Sequence, residues 1–319
     1  MTSAREAFDL YRAGRLPEAA ALCERLIAQT PSIEAWHLLG VSRLELGEAE
    51  AALAALEAGL ALDSARPGLL SARTLALTAL KRDNEAIVAA RAALAADPEN
   101  PPVFNALAVS LQRLGGFSEA LAAIDRAVVG APGESAYRAH RAALLTLLNR
   151  PADAARDLEV LFELNPAHPR LAGDLMWARR QTCDWREDAA LDMLVRAELK
   201  LGRIGVAPFA ALALFDLPVL HRRCAELSAP SSLAPPVWPA RPPGDRIRVA
   251  YLSSDLHEHA TARLLAGVLE AHDRTRFEIH AVSYGPATGG AMQARLRAAC
   301  EYWMEARELS DAEIALKCR

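Results

Sequence analysis

Paired cysteines are missing from this chain. Cys23, Cys183, Cys224, Cys300 and Cys318 are scattered, and none forms a C-x-x-C pair. That argues against a zinc ribbon or a disulfide framework and for reduced thiols in a cytoplasm. No apolar run is long enough to span a bilayer, and the N-terminal MTSAREAFDLYRAG lacks the apolar core of a signal peptide. An excess of positive charge is also missing. The net charge is −4, so an electrostatic grip on nucleic acid is not expected. No G-x-G-x-x-G and no P-loop Lys-Ser/Thr is present. His257-Glu258-His259 suggests a metal site, but H-E-x-x-H would need histidine where Thr261 stands. Neither a metal nor a cofactor is therefore expected.

What is present is a repeat. Small residues recur at Ala52, Ala86, Ala120 and Ala154, and prolines at Pro98, Pro132 and Pro166, each 34 after the last. A second small column runs Gly40, Thr74, Ala108, Ala142. A bulky one runs Trp36, Leu70, Phe104 and is broken by Arg138. This period and order resemble the tetratricopeptide (TPR) repeat, in which each unit is a pair of helices. The small residues let the helices approach, and the proline ends the second helix of the pair. Five units are expected, at about 1–32, 33–66, 67–100, 101–134 and 135–168. The first is weaker but carries Gly14, Ala19 and Pro31.

Such arrays stack into a curved solenoid with the first helix of each unit on its concave face. Positions expected to line that groove are His37, Ser71 and Asn105, with His140 beside them and Thr78, Gln112 and Thr146 further along. A modestly polar, small-residue groove of this kind suits an extended protein or peptide segment.

After Pro169 the period is lost. Leu171–Trp185 reads as one further helix capping the array, and helices near 187–201 and 217–227 follow. The stretch from Ser228 to Asp245 contains six prolines and reads as an extended linker. From Arg246 the pattern changes. Ile247–Leu252, Phe277–Tyr284 and Tyr302–Ala306 read as strands alternating with helices, the last opened by Ser310 and Glu313 as a capping box. The fold class is therefore mostly α: a TPR α-solenoid followed by a partial α/β, Rossmann-like segment at 246–319. In the order 3-2-1 its first strand keeps one open edge, so the chain is expected to stop inside a domain.

These segments together carry a resemblance. The repeats, Cys183-Asp184-Trp185, Pro208-Phe209-Ala210, RIRVAYLSSDLHEHAT, RFEIHAVSYGP and LSDAEIA are similar to the bacterial form of the protein O-GlcNAc transferase/SPINDLY family. The resemblance runs to about Ala315. It implies a GT-B architecture and an inverting, metal-independent transfer of a sugar from a nucleotide donor such as UDP-GlcNAc to Ser/Thr of proteins, with the repeats recruiting the acceptor. It also implies one catalytic position. The family's active-site histidine, in a His-(Pro/Ala)-Thr context, matches His259 in His259-Ala260-Thr261, just past the carboxyl end of the first strand, where open α/β sheets bind ligands. An imidazole there can orient or deprotonate an acceptor hydroxyl, or hydrogen-bond the donor. Asp255 is read as bonding backbone amides of its turn.

The chain departs from the family in two ways. The asparagine ladder of eukaryotic members is replaced by Leu38, Ala72, Ala106 and His140, and the donor-binding lobe is not recognisable, so this chain alone is not expected to turn over. The competing reading is a non-catalytic TPR adaptor for protein–protein interaction.

Overall fold

The computed structural model describes residues 4–229 and 244–318. The residues divide into two compact units, with the division between Leu233 and Ala234. The proline-rich segment at 230–243 lies outside the described residues.

The first unit begins with five helix pairs: α1 (Ala4–Arg12) with α2 (Leu16–Gln29), α3 (Ile33–Glu45) with α4 (Ala49–Leu62), α5 (Pro67–Ala79) with α6 (Asp83–Ala96), α7 (Pro101–Arg113) with α8 (Phe117–Gly130), and α9 (Ser135–Leu147) with α10 (Pro151–Leu164). These are the five repeats, a tetratricopeptide solenoid. The small columns explain the pairing. Ala52, Ala86, Ala120 and Ala154 are fully buried, and Gly40, Thr74, Ala108 and Ala142 are buried as well. Gly40 lies close against the paired helix, since a Cβ there would fall 2.5 Å from Cγ of buried Leu56.

The turn inside each pair repeats as well. Gly14, Gly47, Lys81, Gly115 and Asn149 all take positive φ, between 54° and 81°. Each follows a helix whose last carbonyls it caps. Gly47 N–H donates to Leu44 O and Glu48 N–H to Arg43 O, and Lys81 and Arg82 do the same to Thr78 and Leu77. This is the two-bond left-handed helix stop that glycine and asparagine favour. Between pairs, the second helix stops at a non-helical residue such as Asp97 or Asn165, with Pro98 or Pro166 immediately after it.

The break in the bulky column has a reason. Arg138 does not pack as Trp36 or Phe104 do. Its guanidinium donates to Pro132 O at 3.3 Å and reaches Asp157 Oδ1 at 3.5 Å. Asp157 is buried, and Arg141 grips it with two bonds of 2.7 and 2.6 Å. That carboxylate grip also holds the Arg141 guanidinium well above its usual value.

Four more helices close this unit: α11 (Leu171–Arg180), α12 (Asp188–Lys200), α13 (Pro208–Leu214) and α14 (Pro218–Ser228). The single helix expected over Leu171–Trp185 stops at Arg180. Cys183 takes φ 56°, and Asp184 N–H donates back to Arg179 O. The turn frees Arg179 to bond Glu159, Glu187 and the Arg186 carbonyl. Arg180 grips Asp188 through two 2.8 Å bonds. Side chains from α10, α11, α12 and α13, among them Leu161, Met176, Val195 and Ala211, form one core.

The second unit runs β1 (Ile247–Ser253), α15 (Ala260–Glu270), β2 (Phe277–Ser283), α16 (Ala291–Ala298), β3 (Tyr302–Glu305) and α17 (Asp311–Lys317). The strands are parallel in the order β1-β2-β3, with Ile247 opposite Phe277 and His280 opposite Tyr302. Leu256, Ala266, Leu269, Ile279 and Leu296 fill the core. Ser310 and Glu313 form the expected capping box on α17. The five cysteines are unpaired, and no helix among the described residues is long and apolar enough to cross a membrane.

Candidate functional site

The loop after β1 is built from hydroxyls around one carboxylate. Ser253 Oγ accepts the Asp255 N–H at 3.0 Å. Ser254 Oγ–H donates to Asp255 Oδ1 at 2.8 Å, and Thr261 Oγ–H to Oδ2 at 3.2 Å. The Ser254 bond, chief among these, holds the Asp255 carboxyl below the usual range, and the two nearby histidines add to it. The expectation that Asp255 bonds backbone amides is corrected here: its side-chain oxygens take hydroxyl groups instead.

His259 is the N-cap of α15, with extended backbone at φ −139°, ψ 156°. Its Nδ1 accepts the Thr261 N–H at 3.2 Å and lies 3.6 Å from Asp255 Oδ2. The ring is about half exposed. It therefore sits at the carboxyl end of a parallel strand with Nδ1 engaged and Nε2 without a hydrogen-bond partner among the described residues. The His257 ring centroid is 5.8 Å away.

Glu258, Gly290 and Gly285 tie this loop to the one after β2. Glu258 Oε1 accepts the Met292 N–H at 2.7 Å and so serves the first turn of α16. Gly290 leaves room for it, since a Cβ there would fall 2.8 Å from Oε1. Gly285 approaches more closely still, where a Cβ would overlap Ser254 O at 1.7 Å. Gly285 thus serves close backbone approach, Gly290 makes room for the Glu258 side chain, and Gly289 takes φ 65° in open space. The available signal was glycine immediately after a strand, where another backbone often comes near.

The groove positions fare unequally in the first unit. His37, Ser71 and Asn105 are part-buried on successive first helices. His140 lies between Asn105 and Gln112, with Nδ1 2.8 Å from one amide and Nε2 2.7 Å from the other. Burial lowers both His37 and His140 below the ordinary imidazole value. Neutral His140 has one N–H, so one of the two amides must turn its NH2 toward the ring. Thr78 is a correction. It is buried, donates to Thr74 O at 2.9 Å and meets Ser110 Oγ at 3.4 Å, which makes it a helix-seam residue and not a groove-lining one. Thr146 donates to Ala142 O at 2.9 Å and is exposed.

Of these seven positions only Thr146 lines an open cavity of about 820 Å³ among α9, α10 and α11, with Ala139, Leu158, Leu161, Leu171, Asp174 and Trp177 on its walls. Asp174 brings a carboxylate to it. Burial pushes that carboxyl up, against the pull of Arg170 at 3.1 Å.

In fold, the chain is similar to a tetratricopeptide repeat protein from Parabacteroides merdae, with TM-score 0.51 and 16% identity over 70% of this chain and 88% of that one. It is also similar to the TPR protein TTC0263 of Thermus thermophilus, with TM-score 0.44 and 23% identity over 51% of this chain and 90% of that one. A third similar structure is the Thermobaculum terrenum O-GlcNAc transferase, with TM-score 0.42 and 25% identity over 79% of this chain. The chain spans only 44% of that transferase. No curated protein is significantly similar in sequence. Residues 210–316, which include the whole β1–α15 loop, match Glycosyl transferase family 41.

Proposed function

We propose that this protein is a protein O-glycosyltransferase of the O-GlcNAc transferase kind, with the repeat array recruiting the acceptor and His259 serving the reaction. One observation carries the reading. The segment that matches Glycosyl transferase family 41 holds a parallel sheet, and the His259-Ala260-Thr261 loop lies at the carboxyl end of its first strand. Ligands of open α/β sheets bind at that end.

In this reading the donor is a nucleotide sugar such as UDP-GlcNAc, used as a substrate, and no cofactor takes part. The acceptor is a Ser/Thr-bearing protein segment held by the first helices of the array. The 820 Å³ cavity beside α11 offers the apolar depth that such a segment needs, with Asp174 as its polar anchor. The reaction is soluble chemistry, without nucleic acid or membrane.

The test is a transfer assay on the protein as its gene expresses it, with a panel of labelled nucleotide sugars and acceptor proteins. Label should appear on Ser/Thr and be lost in His259→Ala while the helical signal and acceptor binding persist. Acceptor binding without transfer from any donor would overturn the reading in favour of a TPR adaptor.

A further inference from the structure

The free nitrogen of His259 has a chemical character that its neighbours decide. A histidine acting as a base needs its outward nitrogen bare. In serine-protease-type sites this is arranged by a carboxylate that takes the proton of Nδ1 and leaves the Nε2 lone pair free. The surroundings of His259 are arranged the other way.

Thr261 is the second residue of α15, so its amide N–H belongs to the first turn and has no acceptor within the helix. It points at His259 Nδ1, 3.2 Å away. A backbone amide cannot rotate, and it can be accepted only by a lone pair. A proton on Nδ1 would set two N–H groups against each other at the positive end of the helix. The Thr261 hydroxyl also lies 3.1 Å from Nδ1, but it rotates freely and has a second partner in Asp255 Oδ2 at 3.2 Å. Asp255 does not compete for the ring. Its oxygens already take the hydroxyls of Ser254 and Thr261, and at 3.6 Å Oδ2 is beyond hydrogen-bond length from Nδ1. The fixed donor therefore decides the tautomer.

We propose that the Thr261 backbone amide holds neutral His259 as the Nε2–H tautomer, so that its outward nitrogen is a hydrogen-bond donor that takes an oxygen of the bound substrate and not the proton of the acceptor hydroxyl. Thr261 is then a positioning residue acting through its main chain. The ligand atom that His259 meets is an acceptor oxygen, as found on a phosphate or a sugar. Removal of the acceptor proton falls to another group. This role for His259 rests on the proposed function, whereas the tautomer itself does not.

The test reads the tautomer directly. With ¹⁵N-labelled histidine and neutral rings, long-range proton–nitrogen correlation separates a protonated ring nitrogen from a bare one, and His259→Asn assigns the resonance. The wild type should show a protonated Nε2 and a bare Nδ1, favoured roughly fivefold or more, the bias that one hydrogen bond supplies. Thr261→Val keeps the amide and loses the hydroxyl, so it should leave the pattern unchanged. Thr261→Pro removes the amide at a helix position that tolerates proline, and it should shift the ring toward Nδ1–H. A bare Nε2 in the wild type, or a pattern that Thr261→Pro leaves untouched, overturns the proposal whether or not transfer occurs. In the transfer assay, His259→Gln, which keeps a donor and cannot act as a base, should retain at least tenfold more activity than His259→Phe. Equal loss in both would also overturn it. Absence of transfer in the wild type with the expected tautomer would count against the proposed function alone.

Discussion

Arg141→Met tests the most deeply placed ion pair of the repeat array. Asp157 is almost inaccessible, with 4% of its side chain exposed, and Arg141 supplies both of its short bonds, at 2.7 and 2.6 Å. Removing one member of a buried pair costs about 3–5 kcal/mol, because the other charge stays desolvated. Two features reduce that here. Arg138 remains 3.5 Å from the same carboxylate, and the Arg141 side chain is itself 22% exposed, so water can reach the gap. The expected loss is about 2–3 kcal/mol, below the full cost of an orphaned buried carboxylate. Urea denaturation followed by far-ultraviolet circular dichroism would read it as a lower midpoint with an unchanged slope. The double variant Arg141→Met/Asp157→Leu removes the stranded charge and should recover more than half of the loss. Arg222, paired with Glu226 on the surface, is the control, and its alanine variant should leave the midpoint in place. A loss for Arg141→Met below about 1 kcal/mol, or a double variant no better than the single, would refute the claim that Asp157 is desolvated.

Other changes test the backbone and the packing. Gly40→Ala pushes a methyl against buried Leu56 and should destabilise by about 1–2 kcal/mol despite the gain in helix propensity. Gly267→Ala, at an exposed position of α15 with nothing within 4 Å, should stabilise by about 0.5–1 kcal/mol in the same denaturation assay. Two stabilising results would show that the α3–α4 approach is loose. Lys81 sits at φ 59° where neighbouring repeats have Gly47 and Gly115, so Lys81→Gly should stabilise by about 0.5–1 kcal/mol, read as a higher denaturation midpoint. A destabilised Lys81→Gly would mean that the lysine side chain matters more than its backbone strain. Acid should weaken the array through His37 and His140, whose folded values burial holds below 6.5. As pH falls from about 7.5 through 6.5, the unfolded chain takes up protons first, so stability is full above 6.5 and declines below it until the folded rings titrate. The variant His37→Gln/His140→Gln should flatten that part of a stability-versus-pH curve. An unchanged slope would place its origin elsewhere.

The sequence by itself determined the helix pairs of the array and the switch to a parallel sheet. The physical reason is local and repetitive. A small residue every 34 positions marks where two helices must touch, a proline marks where one must end, and an alternating run beside a polar loop marks a strand. The left-handed turn column of Gly47, Lys81, Gly115 and Asn149 was not read from the sequence, because a lysine and an asparagine within it hide the pattern. Position and family resemblance singled out His259, but its chemistry was not legible. Tertiary structure decided that Arg138 leaves the bulky column to meet Asp157 from the next helix, and that Thr78 faces Ser110 from the next repeat and not the groove. It also decided that Glu258 reaches across to Met292 to join two loops 34 residues apart. Each of these depends on where one side chain's polar atoms meet another element, which residue type and spacing do not specify. His259 is the sharpest case: a fixed amide and a rotating hydroxyl on the same threonine compete for one ring nitrogen, and only their orientation settles which proton the histidine keeps.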